Sequence, residues 1–224
     1  MQNTPATILF DLDGTLIHSA PDVCHAVNHV FEREGLAPLD VKQVQGYLGK
    51  GARILMERAV KDHGHDRETD ALDRMTADFL TFYAANPVVH TTVFPGVFEV
   101  LDRLREEDAI VAICTNKPSK TTGPVLEALG LDGRFDAIVC GDQVANRKPH
   151  GDHVLETIHT ARGDKSSAVM VGDSENDIDA AIHAGVPSIA VTFGYSNTPV
   201  EELGADQLIS TFDRFFDALA AIRG

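Results

Sequence analysis

Long apolar runs are missing from this sequence. A helix needs about 18 consecutive apolar residues to cross a bilayer, and no stretch approaches that length, so a membrane-spanning helix is not expected. Basic residues are scarce too: 19 Lys and Arg stand against 34 Asp and Glu, a formal charge of −15, and no basic patch interrupts the acidic background. That balance argues against nucleic acid or an anionic membrane as the main partner. A small anionic substrate remains compatible with it, because a metal ion and a few placed cations can invert the field locally. Cysteine is sparse, with Cys24, Cys114 and Cys140 scattered without metal-ligand spacing. A low, odd count fits a reducing interior and buried thiols. The N-terminus has no basic stretch followed by an apolar one, so no secretory signal is expected and the cytoplasm is the expected address. The ten histidines, among them His63-Gly64-His65 in a polar loop, are read as surface residues rather than as a metal site. Internal repeats and low-complexity segments are absent from the sequence.

What is present is organised around Thr7-Ile8-Leu9-Phe10-Asp11-Leu12-Asp13-Gly14-Thr15-Leu16. Ile8, Leu9 and Phe10 read as a short buried strand that ends in two aspartates. Paired carboxylates repel and are disfavoured in strands, so they make poor scaffold. At the C-terminal end of a parallel strand they can face the crevice where open α/β sheets bind ligands. From Leu16 to about residue 88 the pattern turns helical, with segments expected at Pro21–Glu34, Ala52–Val60 and Glu68–Ala85. After Phe94-Pro95-Gly96, apolar strands near 109–114, 137–140, 168–171 and 188–191 alternate with amphipathic helices, and a last helix is expected over 212–222. Such alternation predicts an α/β fold with a mainly parallel sheet covered by helices on both faces. The expected domains are a core of residues 1–17 and 89–224 and a helical insertion of 18–88.

Polar residues recur just after these strands: Asp11 and Asp13, then Thr115-Asn116, then Lys148 before Pro149, then Gly172-Asp173 followed by Asn176-Asp177. A parallel sheet brings all of them to one edge. Asp11 can act as a nucleophile, since carboxylates form acyl phosphates. Its attack on a phosphate dianion meets repulsion of roughly 4 kcal/mol per charge pair at 4 Å with an effective dielectric near 20. Asp11, Asp173 and a carbonyl at Asp13 offer the hard oxygens that Mg²⁺ prefers, and Lys148 adds a compact positive charge. Asp177, four residues after Asp173, either joins the metal site or orients Lys148 or a metal-bound water. The Thr115 hydroxyl can hold phosphoryl oxygens, and Asp13 can protonate a leaving alkoxide and then take a proton from water. Taken singly, Thr115-Asn116 also reads as a helix cap, Lys148 as a solvated loop lysine, and Asp173 to Asp177 as capping chemistry. Their joint order, each after a buried strand, favours a site.

These residues carry a family resemblance. Asp11-Leu12-Asp13-Gly14-Thr15-Leu16, Thr115-Asn116-Lys117, Lys148-Pro149 and Gly172-Asp173-Ser174-Glu175-Asn176-Asp177 resemble the four motifs of the haloacid dehalogenase superfamily of phosphohydrolases. The resemblance implies a Rossmann-like three-layer core with an inserted α-helical cap, Mg²⁺ dependence and an aspartyl-phosphate intermediate. It also implies catalytic roles for Asp11, Asp13, Thr115 and Lys148, and phosphate contacts from Gly14, Thr15, Thr115, Asn116 and Lys148. Metal contacts fall on Asp11, Asp13, Asp173 and Asp177. The second aspartate, Asp13, separates the chain from haloalkanoic dehalogenases and points to a phosphatase or phosphomutase. Leu16 to Asp22, Leu48-Gly49-Lys50-Gly51-Ala52, Phe94-Pro95-Gly96-Val97 and Val191 to Tyr195 are similar to phosphoglycolate phosphatases. Two departures are His18, where aspartate is common, and Gly151, where proline often follows.

A small phosphorylated acid, 2-phosphoglycolate, is therefore the expected substrate. The rivals are a related capped phosphatase or phosphomutase on a sugar phosphate, nucleotide or pyrophosphate, and a silent phosphate-binding protein of the same fold. The substrate carboxylate calls for a cap cation or a helix N-terminus, and Gly49, Lys50, Gly51 and Arg53 offer both, although Lys50 also reads as a solvated residue. The chain is expected to be a monomer or homodimer.

Overall fold

A computed structural model of the chain describes residues 6–64 and 67–224, so His65 of the expected polar loop lies outside the described residues. Thr7, Ile8, Leu9 and Phe10 are fully buried and form β1 (Thr7–Phe10) in the middle of the sheet. There follow β2 (Ile17–His18), α1 (Ala20–Arg33), α2 (Val41–Gln45), α3 (Ala52–Asp62), α4 (Thr69–Ala85) and β3 (Thr92–Val93). The second half contains α5 (Val97–Glu106), β4 (Ile110–Thr115), α6 (Ser119–Ala128), β5 (Ala137–Cys140), α7 (Gly151–Thr160), β6 (Ala168–Gly172), α8 (Glu175–Ala184), β7 (Ser188–Val191), β8 (Gln207–Ile209) and α9 (Phe215–Arg223). A six-stranded sheet runs β5-β4-β1-β6-β7-β8, with every neighbouring pair parallel.

Alternation along the strands separates the two faces. Ile8 and Phe10, with Val111, Ile113, Val169 and Val171, pack against α5 and α9 through Val100, Leu104 and Phe215. Leu9, Ala112, Cys114 and Met170 point the other way, where Ala180, Ala181 and Ala184 of α8 and Val154 and Ile158 of α7 cover them. Small residues on that side let α8 lie close to the sheet, which brings its N-terminal carboxylates near the strand ends. The three-layer α/β architecture is the one that the apolar strand pattern implies.

The helical segment α1 to α4 lies between β2 and β3, which pair antiparallel, Ile17 with Val93 and His18 with Thr92. Two-residue strands are too short to leave a sequence period, and the same holds for β8. The Asp22 carboxylate in the first turn of α1 accepts hydrogen bonds from the Val89, His90 and Thr91 N–H groups at 2.8–3.0 Å and from Thr91 Oγ1 at 2.6 Å. It thus ties the outgoing crossing of the chain to the returning one. Burial opposes its charge, but these donors hold its pKa below the usual carboxylate value.

The three cysteines are free and buried, as expected. The surface reading of the histidines fails for His153, which is fully buried on α7. Its Nδ1 accepts from the Lys148 N–H at 3.3 Å, and its Nε2 lies 3.1 Å from the Val139 carbonyl oxygen. Burial and the neighbouring Lys148 push its pKa down to about 4, so it serves as a neutral bridge. His25 and His29 stand four apart on α1, a metal-compatible spacing, but both rings pack on Phe82 of α4, with centroids 5.2 and 3.9 Å away. No helix among the described residues is long and apolar enough to cross a membrane.

Candidate active site

Each motif residue leaves the sheet at its C-terminal edge: Asp11 directly after β1, Thr115 at the end of β4, Lys148 in the loop beyond β5, and Asp173 directly after β6. The Lys148 ammonium is buried, and Asp11, Asp177 of α8 and the Cys114 carbonyl converge on it. Lys148 Nζ donates to Asp11 Oδ1 at 2.7 Å, Asp177 Oδ1 at 2.6 Å and the Cys114 carbonyl at 2.6 Å, which uses all three of its protons. Burial alone would lower its pKa, but the Asp11 and Asp177 carboxylates outweigh that and raise it. Lys148 is therefore a fixed positive charge with no proton to spare.

Asp11 keeps one carboxylate oxygen outside this contact. Burial pushes its pKa up to about 6, against the pull of Lys148 and with a further push from Asp177. Asp173 is raised well above the ordinary value by burial and by the Asp177 and Asp11 carboxylates. One of its oxygens accepts from the Tyr195 N–H at 2.6 Å, while the other is touched at 3.4 Å by Thr15 Oγ1. Gly14, at φ +94°, and Gly194 lie so close to Asp173 that a side chain on either would collide with its carboxylate. The Gly14 N–H is bonded to the Ile17 carbonyl at 2.9 Å, so here its part is to leave room.

Asp177 does double duty. Its second oxygen accepts from the Asp173 and Ser174 N–H groups at 3.2 and 3.1 Å and from Ser174 Oγ at 2.8 Å. One oxygen thus caps the start of α8, as the capping reading has it, while the other holds Lys148. With both oxygens engaged, it orients Lys148. Asp11, Asp173 and Asp177 place ligand oxygens within 4.8 Å of one another, and among the described residues they are the group that could hold a metal ion. Asp173 makes no salt bridge among the described residues, so the cluster carries more buried negative charge than Lys148 neutralises. An oxygen-only donor set with surplus negative charge fits Mg²⁺.

A pocket opens above these groups, lined on the core side by Asp11, Asp13, Thr115, Asn116 and Lys148 and on the helical side by Leu48, Gly49, Gly51, Ala52, Leu55 and Tyr83. Asn116 Nδ2 spans the two sides, donating to the Gly49 carbonyl at 2.8 Å and the Lys148 carbonyl at 2.9 Å. Its Oδ1 is buried without a hydrogen-bond partner among the described residues. Thr115 is buried at the rim, with Oγ1 accepting from the Lys117 N–H at 3.2 Å. Lys50 and Arg53, expected as cap cations, are not among the lining residues. Arg53 is drawn instead to Asp73 at 2.7 Å and Glu57 at 3.5 Å, both acidic residues of the helices. Sequence reasoning missed Tyr83 and His153, which have no motif spacing, and quoted Lys117 and Tyr195 without giving either a role.

The sequence model of the haloacid dehalogenase-like hydrolases matches residues 8–191, and the chain belongs to that family. Within it, the chain is 42% identical over 211 residues to the phosphoglycolate phosphatase of Agrobacterium fabrum, covering 94% of this chain and 91% of that one. It is 41% identical over 207 residues to the phosphoglycolate phosphatase of Caulobacter vibrioides, with coverage of 92% and 87%. Its fold superposes on the crystal structure of a predicted phosphoglycolate phosphatase from Haemophilus somnus with a TM-score of 0.89 at 30% identity, covering 97% and 99% of the two chains.

Proposed function

We propose that the chain is a Mg²⁺-dependent phosphomonoester hydrolase that forms an aspartyl phosphate on Asp11 and converts 2-phosphoglycolate to glycolate and phosphate. The observation that carries this reading is the buried Asp11–Lys148–Asp177 chain of contacts at 2.7 and 2.6 Å, which leaves one Asp11 oxygen for attack. The similarity to phosphoglycolate phosphatases over nearly the whole chain supports the substrate. Asp11, Asp173 and the main chain at Asp13 would hold Mg²⁺, with Asp177 acting through Lys148. When bound, the cation offsets the negative charge that nucleophile and phosphate share.

In the first half-reaction an Asp11 oxygen bonds to phosphorus, the bond from phosphorus to the glycolate oxygen breaks, and Asp13 supplies the proton that oxygen takes up. Water then attacks the acyl phosphate, losing a proton to Asp13 and freeing Asp11. The Thr115 hydroxyl holds a phosphoryl oxygen while its charge develops, and Lys148, fixed on Asp11, supplies positive charge beside the reacting oxygen. Residues 18–88 act as the cap that shapes the substrate end of the pocket. There the N-terminus of α3, with Gly49, Gly51 and Ala52 at the lining, suits a carboxylate. The cytoplasm remains the proposed location, on the ground of sparse free thiols.

A panel of phosphorylated metabolites assayed with Mg²⁺ tests the reading. 2-Phosphoglycolate is expected to give the highest kcat/KM. Hexose or nucleotide monophosphates ahead of it by about tenfold, roughly 1.4 kcal/mol of transition-state binding, would move the assignment to the sugar-phosphate or nucleotide rivals.

A further inference from the structure

Lys117 is a second buried lysine, and the reaction above leaves it without a task. Its side chain is 3% exposed, and its ammonium group donates to Asp13 Oδ1 and Oδ2, both at 3.0 Å, and to the Tyr83 hydroxyl at 2.9 Å. Burying an ammonium is costly unless its partners are well placed, and an apolar replacement of such a pair is often no less stable. An ion pair of this kind is therefore weak evidence of a purely structural role. Its geometry is more telling. Two equal contacts fix the plane of the Asp13 carboxylate, and the third ties that grip to α4, in the helical insertion between β2 and β3. The lysine also lies over the Tyr83 ring, 4.5 Å from its centroid. Next to this contact Lys120 Nζ donates to Thr81 Oγ1 at 3.0 Å, so the α4–α6 seam holds both residues in register.

We propose that Lys117 and Tyr83 are positioning residues that aim the Asp13 carboxylate at the leaving oxygen and then at the attacking water. This rests on the phosphatase reading above. In each half-reaction Asp13 exchanges one proton, given to the alkoxide as the P–O(alkyl) bond breaks and taken from water as the new P–O bond forms. Lys117 occupies one lone pair on each Asp13 oxygen and leaves the others to face the reaction. Asp13 is thus correctly aimed only while the helical insertion supplies Tyr83.

Tyr83→Phe, Lys117→Met and Asp13→Asn, compared on two esters in the full chain with Mg²⁺, separate this role from a structural one. p-Nitrophenyl phosphate releases an anion that needs no proton, whereas the best alkyl phosphate from the panel releases an alkoxide that does. On the alkyl ester, Tyr83→Phe is expected to lose about tenfold and Lys117→Met about a hundredfold in kcat, with KM within about threefold, in the range typical of general acid–base catalysis. On p-nitrophenyl phosphate both variants, like Asp13→Asn, are expected to show a burst of p-nitrophenolate approaching one per site before a slower steady rate. Equal losses on both esters without a burst, a change confined to KM, or no change at all would overturn the proposal. If Lys117→Met fails to fold, Tyr83→Phe, which removes one hydroxyl, carries the test alone. An unmodified chain inactive on both esters would remove the phosphatase reading and this inference with it; an active one with unaltered variants would remove the inference only.

Discussion

Asp11 shows how the site sets function against stability. A carboxyl group raised to about 6 by burial is one whose ionised form the folded state disfavours. The asparagine variant keeps its shape and removes that charge, but an amide cannot form the acyl phosphate. Asp11→Asn is therefore expected to cut kcat on p-nitrophenyl phosphate by about 10³-fold or more. Its metal-free melting temperature at pH 7.5 is expected to be no lower than that of the unmodified chain. Activity assays alongside thermal melts check both parts, and appreciable residual turnover would indicate direct attack by water. At this scale the sequence was highly legible for Asp11, Asp13, Lys148, Asp173 and Asp177, because each follows a buried strand. It was poorly legible for Lys117 and Tyr83, 34 positions apart, whose 2.9 Å contact has no local signature.

The elements that decide the geometry are the two short crossings between core and insertion. β2 and β3 contribute only two paired residues each, so Asp22 bears much of the task of holding them together. Asp22→Ala would leave the Val89, His90 and Thr91 N–H groups without their acceptor. The expected loss is about 3 kcal/mol, in line with hydrogen bonds to a charged acceptor, read as a lower midpoint in urea unfolding. The contribution of a carboxylate with a lowered pKa is present above the ordinary carboxylate range and fades as acid protonates it. His18 sits at the same crossing, its Nδ1 2.8 Å from the Tyr195 hydroxyl, while the Tyr195 N–H holds Asp173. The departure from aspartate at position 18 thus lies two contacts from the proposed metal site. Helices α1, α3 and α4 were readable from apolar spacing, with Pro21 at a helix start and Gly35 after a helix end. The crossing strands were not, because two residues cannot display a period.

For the whole molecule, the surplus of buried negative charge ties stability to a cation. Burial raises the pKa of both Asp11 and Asp173, so in the metal-free chain their ionisation lowers stability as pH rises above the ordinary carboxylate range, through about 6 in the case of Asp11. Mg²⁺ held by the ionised pair, as proposed above, would reverse that loss. At a hundredfold excess over its Kd, Mg²⁺ is expected to raise the melting temperature by about 5–10 °C at pH 7.5. At pH 5.5 the rise should be smaller, because protons then compete for the same oxygens. Differential scanning calorimetry at the two pH values checks this, and an equal shift at both would place the ion elsewhere.

The linear order of residues by itself determined the α/β class, the run of helices that follows the first strand and the identity of the acidic and basic groups at the strand ends. These follow from local periodicity and from the rule that parallel strands share one ligand-binding edge. Only the tertiary structure decided which oxygen of Asp177 holds Lys148 and which caps α8, that Arg53 turns to Asp73 and Glu57, and that Tyr83 of α4 reaches Lys117 in the turn between β4 and α6. Such choices depend on angles and distances between elements remote in sequence, set by close packing of side chains that no local pattern encodes.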